Sequence, residues 1–157
     1  MDTAKQKKFK RLIRLLNFYP PFLFSGIKVI ENSPDFTYFK VRLKLSWYNK
    51  NLVGTAFGGS LYAMCDPFFM FILLINLGPS YIVWDKAASI DFVKPGKGTV
   101  YGTFAIDKTT ISAIKSEVDQ VGKNTYTFPC EVIDQEGSII ASLSKTVYVR
   151  KKEPKKA

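Results

Sequence analysis

The order of elements along this chain predicts an α+β fold: an antiparallel sheet of about five to six strands wrapped around one long, very apolar helix. Three observations carry that prediction. The segment Leu61–Leu77 is apolar nearly all round, so a helix formed there has to be enclosed. Several other segments alternate with a period of two, most clearly Tyr38, Lys40, Arg42 and Lys44 against Phe39, Val41, Leu43 and Leu45. Two such strands precede the apolar helix and about four follow it, enough sheet to curl around it.

Residues 5–18 read as an amphipathic helix, with Phe9, Leu12, Ile13 and Leu16 at helical spacing and Lys7, Lys8, Lys10, Arg11 and Arg14 mostly on other faces. Pro20-Pro21 ends it. Packing on the domain's own sheet is the expected place for this helix, and an anionic membrane surface is the alternative. Residues 1–22 then form a basic helix and linker, 23–150 the main domain and 151–157 a basic tail. Ile27–Ile30 and Phe36–Leu45 read as strands. A polar loop, Ser46–Thr55, leads into Phe57-Gly58-Gly59 and the apolar helix, which Gly78-Pro79 closes. Pro67 either kinks that helix or marks a boundary between two pieces. Ile82–Phe92 is a strand, Lys94–Gly98 a turn, Thr99–Ile106 a strand and Thr110–Val121 a helix stopped by Gly122. Asn124–Ile133 and Ser138–Arg150 form a hairpin about Asp134-Gln135-Glu136-Gly137.

A length of 157 residues predicts one domain. Histidine is absent, which excludes Ser-His-Asp and Cys-His catalysis and histidine-ligated metals. No metal or cofactor is expected. Cys65 and Cys130 form no CxxC pair and read as free thiols of a reducing cytoplasm. Met1–Arg14 lacks the uninterrupted apolar run of a secretory signal, so a cytoplasmic location is expected. Leu61–Leu77 carries Asp66 and Pro67 and falls short of the roughly 20 apolar residues of a membrane span.

The net charge of +10 is concentrated at the ends. Residues 1–14 hold six cations and one acid, residues 150–157 five and one, and the remaining body is only +1. Basic ends on a near-neutral body suit an anionic partner: a phosphate-rich ligand, weak contact with a membrane surface, or nucleic acid. They also serve solubility alone. With no helix-turn-helix or zinc module, sequence-specific nucleic-acid binding is not expected.

Asp66 carries the most information. It lies among Met64, Phe68, Phe69 and Met70, and burying a carboxylate there costs several kcal/mol unless it is paired. An acid in an apolar setting is how a general base or water-orienting group is commonly made. The alternative is an acid that caps or bridges something in the core. Cys65 lies beside it, but with no histidine to activate it an inert buried thiol is expected.

Asn51, Phe57-Gly58-Gly59 and Asp66 resemble the Asn-x5-His-Gly-Gly-x6-Asp pattern of hotdog-fold thioesterases of the phenylacetyl-CoA type, with Phe57 at the histidine position. Asn17-Phe-Tyr-Pro-Pro, Gly54-Thr-Ala-Phe-Gly-Gly-Ser-Leu and Phe92-Val-Lys-Pro-Gly look like a hotdog branch that carries Phe there, and the likeness runs over roughly residues 10–150. The resemblance implies hydrolysis of an acyl-CoA or similar thioester by a homodimer or dimer of dimers. It implies Asp66 as general base or nucleophile, the Gly58 N–H as the group polarising the carbonyl, and Asn51 as organiser of the loop. Phe57, Gly59, Leu61 and Tyr62 would meet the acyl group. Lys94 stands where related thioesterases often hold Ser or Thr. It would pair with Asp66, meet a substrate carboxylate or CoA phosphate, or remain solvated. Non-catalytic acyl-CoA or lipid binding is the second reading.

Elementary chemistry supports the same roles. Glycine admits close approach to its N–H, and a helix start leaves amides free for an oxyanion. Asn51 also suits a plain Asx-turn, and Gly58-Gly59 suits tight packing alone. Eight residues of helix separate Gly58 from Asp66 by ~12 Å. Both groups then act on one carbonyl only if they come from different subunits.

Overall fold

The computed structural model describes residues 3–153. Its elements are α1 (Thr3–Leu16), α2 (Pro20–Ser25), β1 (Ile27–Asn32), β2 (Tyr38–Lys44), α3 (Gly58–Ala63), α4 (Phe68–Leu77), β3 (Tyr81–Phe92), β4 (Thr99–Ala105), α5 (Lys108–Val121), β5 (Lys123–Ile133) and β6 (Ile139–Lys151). The six strands form one antiparallel sheet in the order β1-β2-β4-β5-β6-β3. This is the hotdog architecture, with α3 and α4 as the enclosed helical segment.

Alternation sets which face of each strand meets the core. Phe39, Val41 and Leu43 of β2 are buried, and so are Leu143, Val147 and Val149 of β6. The enclosed segment offers Phe68, Phe69, Ile72 and Leu73 to that face. Phe68 stacks on Phe104 of β4 with ring centroids 4.8 Å apart, and Phe69 stacks on Phe128 of β5 at 5.0 Å. By length and composition, residues 58–77 are apolar enough to cross a bilayer. Here they are the helix that the sheet encloses.

That helix is not continuous. Residues 64–67 break it, and the Asp66–Pro67 peptide is cis. Pro67 is the N-cap of α4, where its missing N–H costs nothing. Pro20-Pro21, read as a stop, instead open α2 at its first two positions, for the same reason. The other elements match their sequence readings to within a few residues; Asp107 caps α5 by accepting from Thr110 N–H at 2.8 Å.

The two outer strands are finished differently. Along β1, the Asn17 side chain accepts from Val29 N–H at 2.8 Å and donates to Val29 C=O at 3.2 Å, occupying strand-edge groups. Helix α1 packs beside it through Ile13, Phe9 and Leu16. Among the described residues β3 pairs only with β6, from Tyr81↔Lys151 to Phe92↔Ala141, and its other side is open over twelve residues.

Candidate active site

The sequence-predicted residues fall into two groups. Asn51, Gly58, Leu61 and Lys94 line one cleft of about 380 Å³, together with Phe92 and Gly96. Asp66 is not among its lining residues.

The cleft is built from two loops. Asn49 is buried and fastens the 46–56 loop: it accepts from Ser46 N–H at 2.6 Å and donates to the carbonyls of Ser25 and Lys44. Asn51 then makes an Asx-turn, accepting from Val53 N–H at 3.1 Å and Thr55 N–H at 3.0 Å while donating to Thr55 Oγ1 at 2.9 Å. Its side chain is thereby spent on loop shape rather than aimed at a ligand. The Lys94–Gly98 turn docks through Ala56 N–H to Gly96 C=O at 2.8 Å.

Phe57 is the N-cap of α3, and its side chain offers no acceptor to the first amides of the helix. A Cβ on Gly58 would lie 2.9 Å from the Phe92 ring, so that ring sits directly over the glycine. Phe57 is itself exposed and its ring lies against Gly59. Lys94 is exposed and has no ion-pair partner among the described residues.

Asp66 belongs to a second cluster. Its Oδ1 accepts from the ammonium of Lys145, and the same ammonium lies 3.4 Å from Asp85 Oδ2. The cation on Asp66 is thus Lys145, not Lys94. Lys145 lies on the inward face of β6, in register with Leu143 and Val147, and is 5% exposed. Its ammonium also lies 5.8 Å from the Tyr62 ring centroid. One ammonium serves two carboxylates, so the cluster carries one net negative charge when both are ionised.

The two acids differ in solvation. The break before α4 turns Asp66 outward, leaving its side chain 47% exposed. The expectation of a desolvated Asp66 is therefore corrected. Desolvation falls on Asp85, 19% exposed, with one oxygen buried and unpartnered. Burial pushes the Asp85 carboxyl up to about 6; the charge of Lys145 opposes this, and Asp66 adds to it. Burial acts to lower the Lys145 ammonium, but its bond to Asp66 and the two carboxylate charges outweigh that and hold it above its usual value. Cys65 and Cys130 are buried with sulfurs 4.0 Å apart. The contact with Cys130, then burial, pushes the Cys65 thiol up, which makes it a poor nucleophile.

Reasoning from sequence missed Lys145, Asp85 and Phe92. The first two left a signal: each stands at the inward parity of its strand, where an apolar residue is the rule.

Residues 6–149 match the family described as domain of unknown function DUF4442. The chain belongs to that family. No curated protein matches. Among solved structures, the chain is similar to a Pseudomonas aeruginosa protein described as a probable thioesterase, with a TM-score of 0.81, 20% identity, and 91% of this chain and 96% of that one covered. It is also similar to a thioesterase from Haemophilus influenzae, with a TM-score of 0.66, 12% identity and 91% of both chains covered. The PaaI protein of the E. coli phenylacetic acid degradation operon aligns with a TM-score of 0.62 and 15% identity over 96% of each chain. At these identities the likeness is one of fold.

Proposed function

We propose that this protein hydrolyses acyl thioesters, with acyl-CoA as the substrate class, and that Asp66 is the general base. The observation that carries this reading is the division of labour on Asp66. One oxygen is held by Lys145, while the half-exposed side chain leaves the other able to reach a water. The bond to Lys145 fixes the orientation of the carboxylate, which a base acting at one position requires.

In this mechanism Asp66 takes a proton from water as the water oxygen attacks the thioester carbonyl carbon. The negative charge on the carbonyl oxygen is met by the Gly58 N–H. The intermediate then collapses, the carbon–sulfur bond breaks, and the leaving thiolate takes the proton from Asp66. The products are a carboxylic acid and a free thiol. Gly58 and Asp66 act from different subunits of a homodimer, because the Gly58 cleft does not include Asp66. The open β3 edge supports such a dimer, since a long unpaired strand is a template for another. Phe57, Leu61 and Tyr62 meet the acyl group, Phe92 packs against the Cα side of Gly58, and Lys94 with Lys97 meets carrier phosphates.

Binding without turnover is the second reading. It draws on the same ion pair, because a carboxylate bridged to Lys145 also serves as a structural link between the helical segment and β6. Hydrolysis of a panel of acyl-CoAs by wild type and Asp66→Asn decides between the two. Turnover in the wild type, reduced by about 10²-fold or more in the folded variant, is the expected result. Equal turnover in both, or none on any thioester, would sink the hydrolase reading. Acyl-CoA binding without turnover would install the second.

A further inference from the structure

A cavity of about 540 Å³, sharing no lining residue with the Gly58 cleft, lies where the end of α1 and α2 meet β1 and β2. Four of its lining residues are cations, Arg14, Lys28, Arg42 and Lys44, and none is an acid. Lys28 and Arg42 are cross-strand partners, which places like charges side by side at an energetic cost. None of the four makes an ion pair among the described residues, and Arg42 Nε is buried without a hydrogen-bond partner. Unpaired cations crowded around an orphaned guanidinium nitrogen suit an anion with several oxygens, such as a phosphate group.

Phe18 and Leu23 also line this cavity, and they open onto an apolar surface. Only part of the wide apolar arc of α1 is used for packing. Ile13 is buried, while Leu12 and Leu15 stay exposed. Phe18 at 72% and Phe24 at 70% exposure continue this surface around the α1–α2 corner, with Tyr19 and Leu23. Lys8 and Arg11 stand one turn before Leu12 and Leu15 on the same flank. Exposed aromatic and aliphatic side chains beside a cluster of cations form the pattern of a surface that inserts among lipid headgroups.

We propose that the α1–α2 corner docks on an anionic lipid bilayer, with Phe18, Phe24 and Leu15 entering the headgroup layer and a lipid phosphate held among Arg14, Lys28, Arg42 and Lys44. The occupant follows from charge complementarity and from the continuity of the cationic cavity with the apolar corner. A soluble anion would use only the first of these. The proposal is independent of the thioesterase reading.

Vesicle flotation with the full chain tests it, comparing phosphatidylcholine vesicles with mixed phosphatidylcholine–phosphatidylglycerol vesicles. The expected result is binding to the mixed vesicles alone, weakening as salt rises. The double variants Phe18→Ser/Phe24→Ser and Arg14→Gln/Lys28→Gln should each bind about tenfold or more weakly. All four residues are exposed, and a thermal melt verifies folding. Failure of the wild type to bind anionic vesicles would overturn the proposal. Binding unaffected by the aromatic replacements would also overturn it and assign the effect to general basic charge. Equal binding to a random-sequence RNA, unchanged in the aromatic variant, would do the same. A lower solution mass for Phe18→Ser/Phe24→Ser would identify the corner as an interface between copies and overturn the lipid assignment.

Discussion

The two ends of the sheet solve the same problem in opposite ways. At β1 the chain closes its own edge, with Asn17 on both polar groups of Val29 and α1 alongside. At β3 twelve residues of strand are left open, and the two carboxylates sharing Lys145 lie at that same end. An end closed within the chain is complete in one protomer, so its outer surface is available for other uses. An open end is unfinished until another strand arrives. On the readings proposed above, the difference assigns chemistry and assembly to the β3 end and surface contact to the β1 end.

The strongest test of this contrast is Lys145→Met. It leaves Asp66 and Asp85 without their shared cation, and removing one partner from a buried pair costs about 3 kcal/mol after allowing for the exposure of Asp66. Chemical denaturation should show that loss, and Asp85→Asn in the same chain should return part of it. A loss below about 1 kcal/mol would mean that the cluster is solvated like an ordinary surface pair.

Charging the open edge comes next. Ala87→Lys/Ser89→Lys puts like charges along an exposed part of β3 and should weaken a β3-mediated dimer by roughly a hundredfold. Sedimentation measures the change. An unchanged mass would put the dimer contact elsewhere.

Acidity separates the two carboxylates. Asp85 titrates near 6 in the folded protein, above its ordinary 3.8, so the native state binds that proton more tightly than the unfolded chain. Its ionisation therefore penalises the native state above about pH 6. The penalty fades as the pH falls from 6 toward 3.8. The melting temperature should rise by about 5 °C between pH 7 and pH 5, and Asp85→Asn should flatten that rise. A rise that persists in the variant would assign it to another group.

The smallest effect is expected at the closed edge. Asn17→Ala removes two hydrogen bonds from Val29 and should cost about 1–2 kcal/mol, with the solution mass unchanged. A larger solution species in this variant would show that Asn17 also shields β1 from pairing with another chain.

Much of this arrangement was legible in the sequence because the signals are local. The alternation in β2, the apolar run through α4 and the Gly78 stop each depend on nearby residues alone. The loop held by Asn51 and the Gly58-Gly59 helix start were legible for the same reason. The partner of Asp66 was not. Lys145 lies 79 positions away, and its strand, Leu143 to Val149, alternates as any strand would. Knowing that it points inward requires knowing which parity of β6 faces the core. The boundary at Pro67 was one of the two readings open to the sequence, but the solvation of Asp66 was misread because its apolar neighbours in the chain were taken as its surroundings. The break at residues 64–67 turns the acid outward and leaves Asp85, 19 positions later, in the apolar setting.

The place of β6 in the sheet also bears on how the fold is reached. Among the described residues β3 has β6 as its only neighbour in the sheet, and three further elements, β4, α5 and β5, lie between them in the chain. Until β6 docks, β3 has no ladder to join and Asp66 and Asp85 have no counter-ion. The long sequence separation of the paired residues raises the loop-closure cost of this pairing. A partly folded chain that has closed β1, β2 and β4 therefore holds neither its open edge nor its paired acid. One strand delivers both, so the edge and the ion cluster mature in a single event.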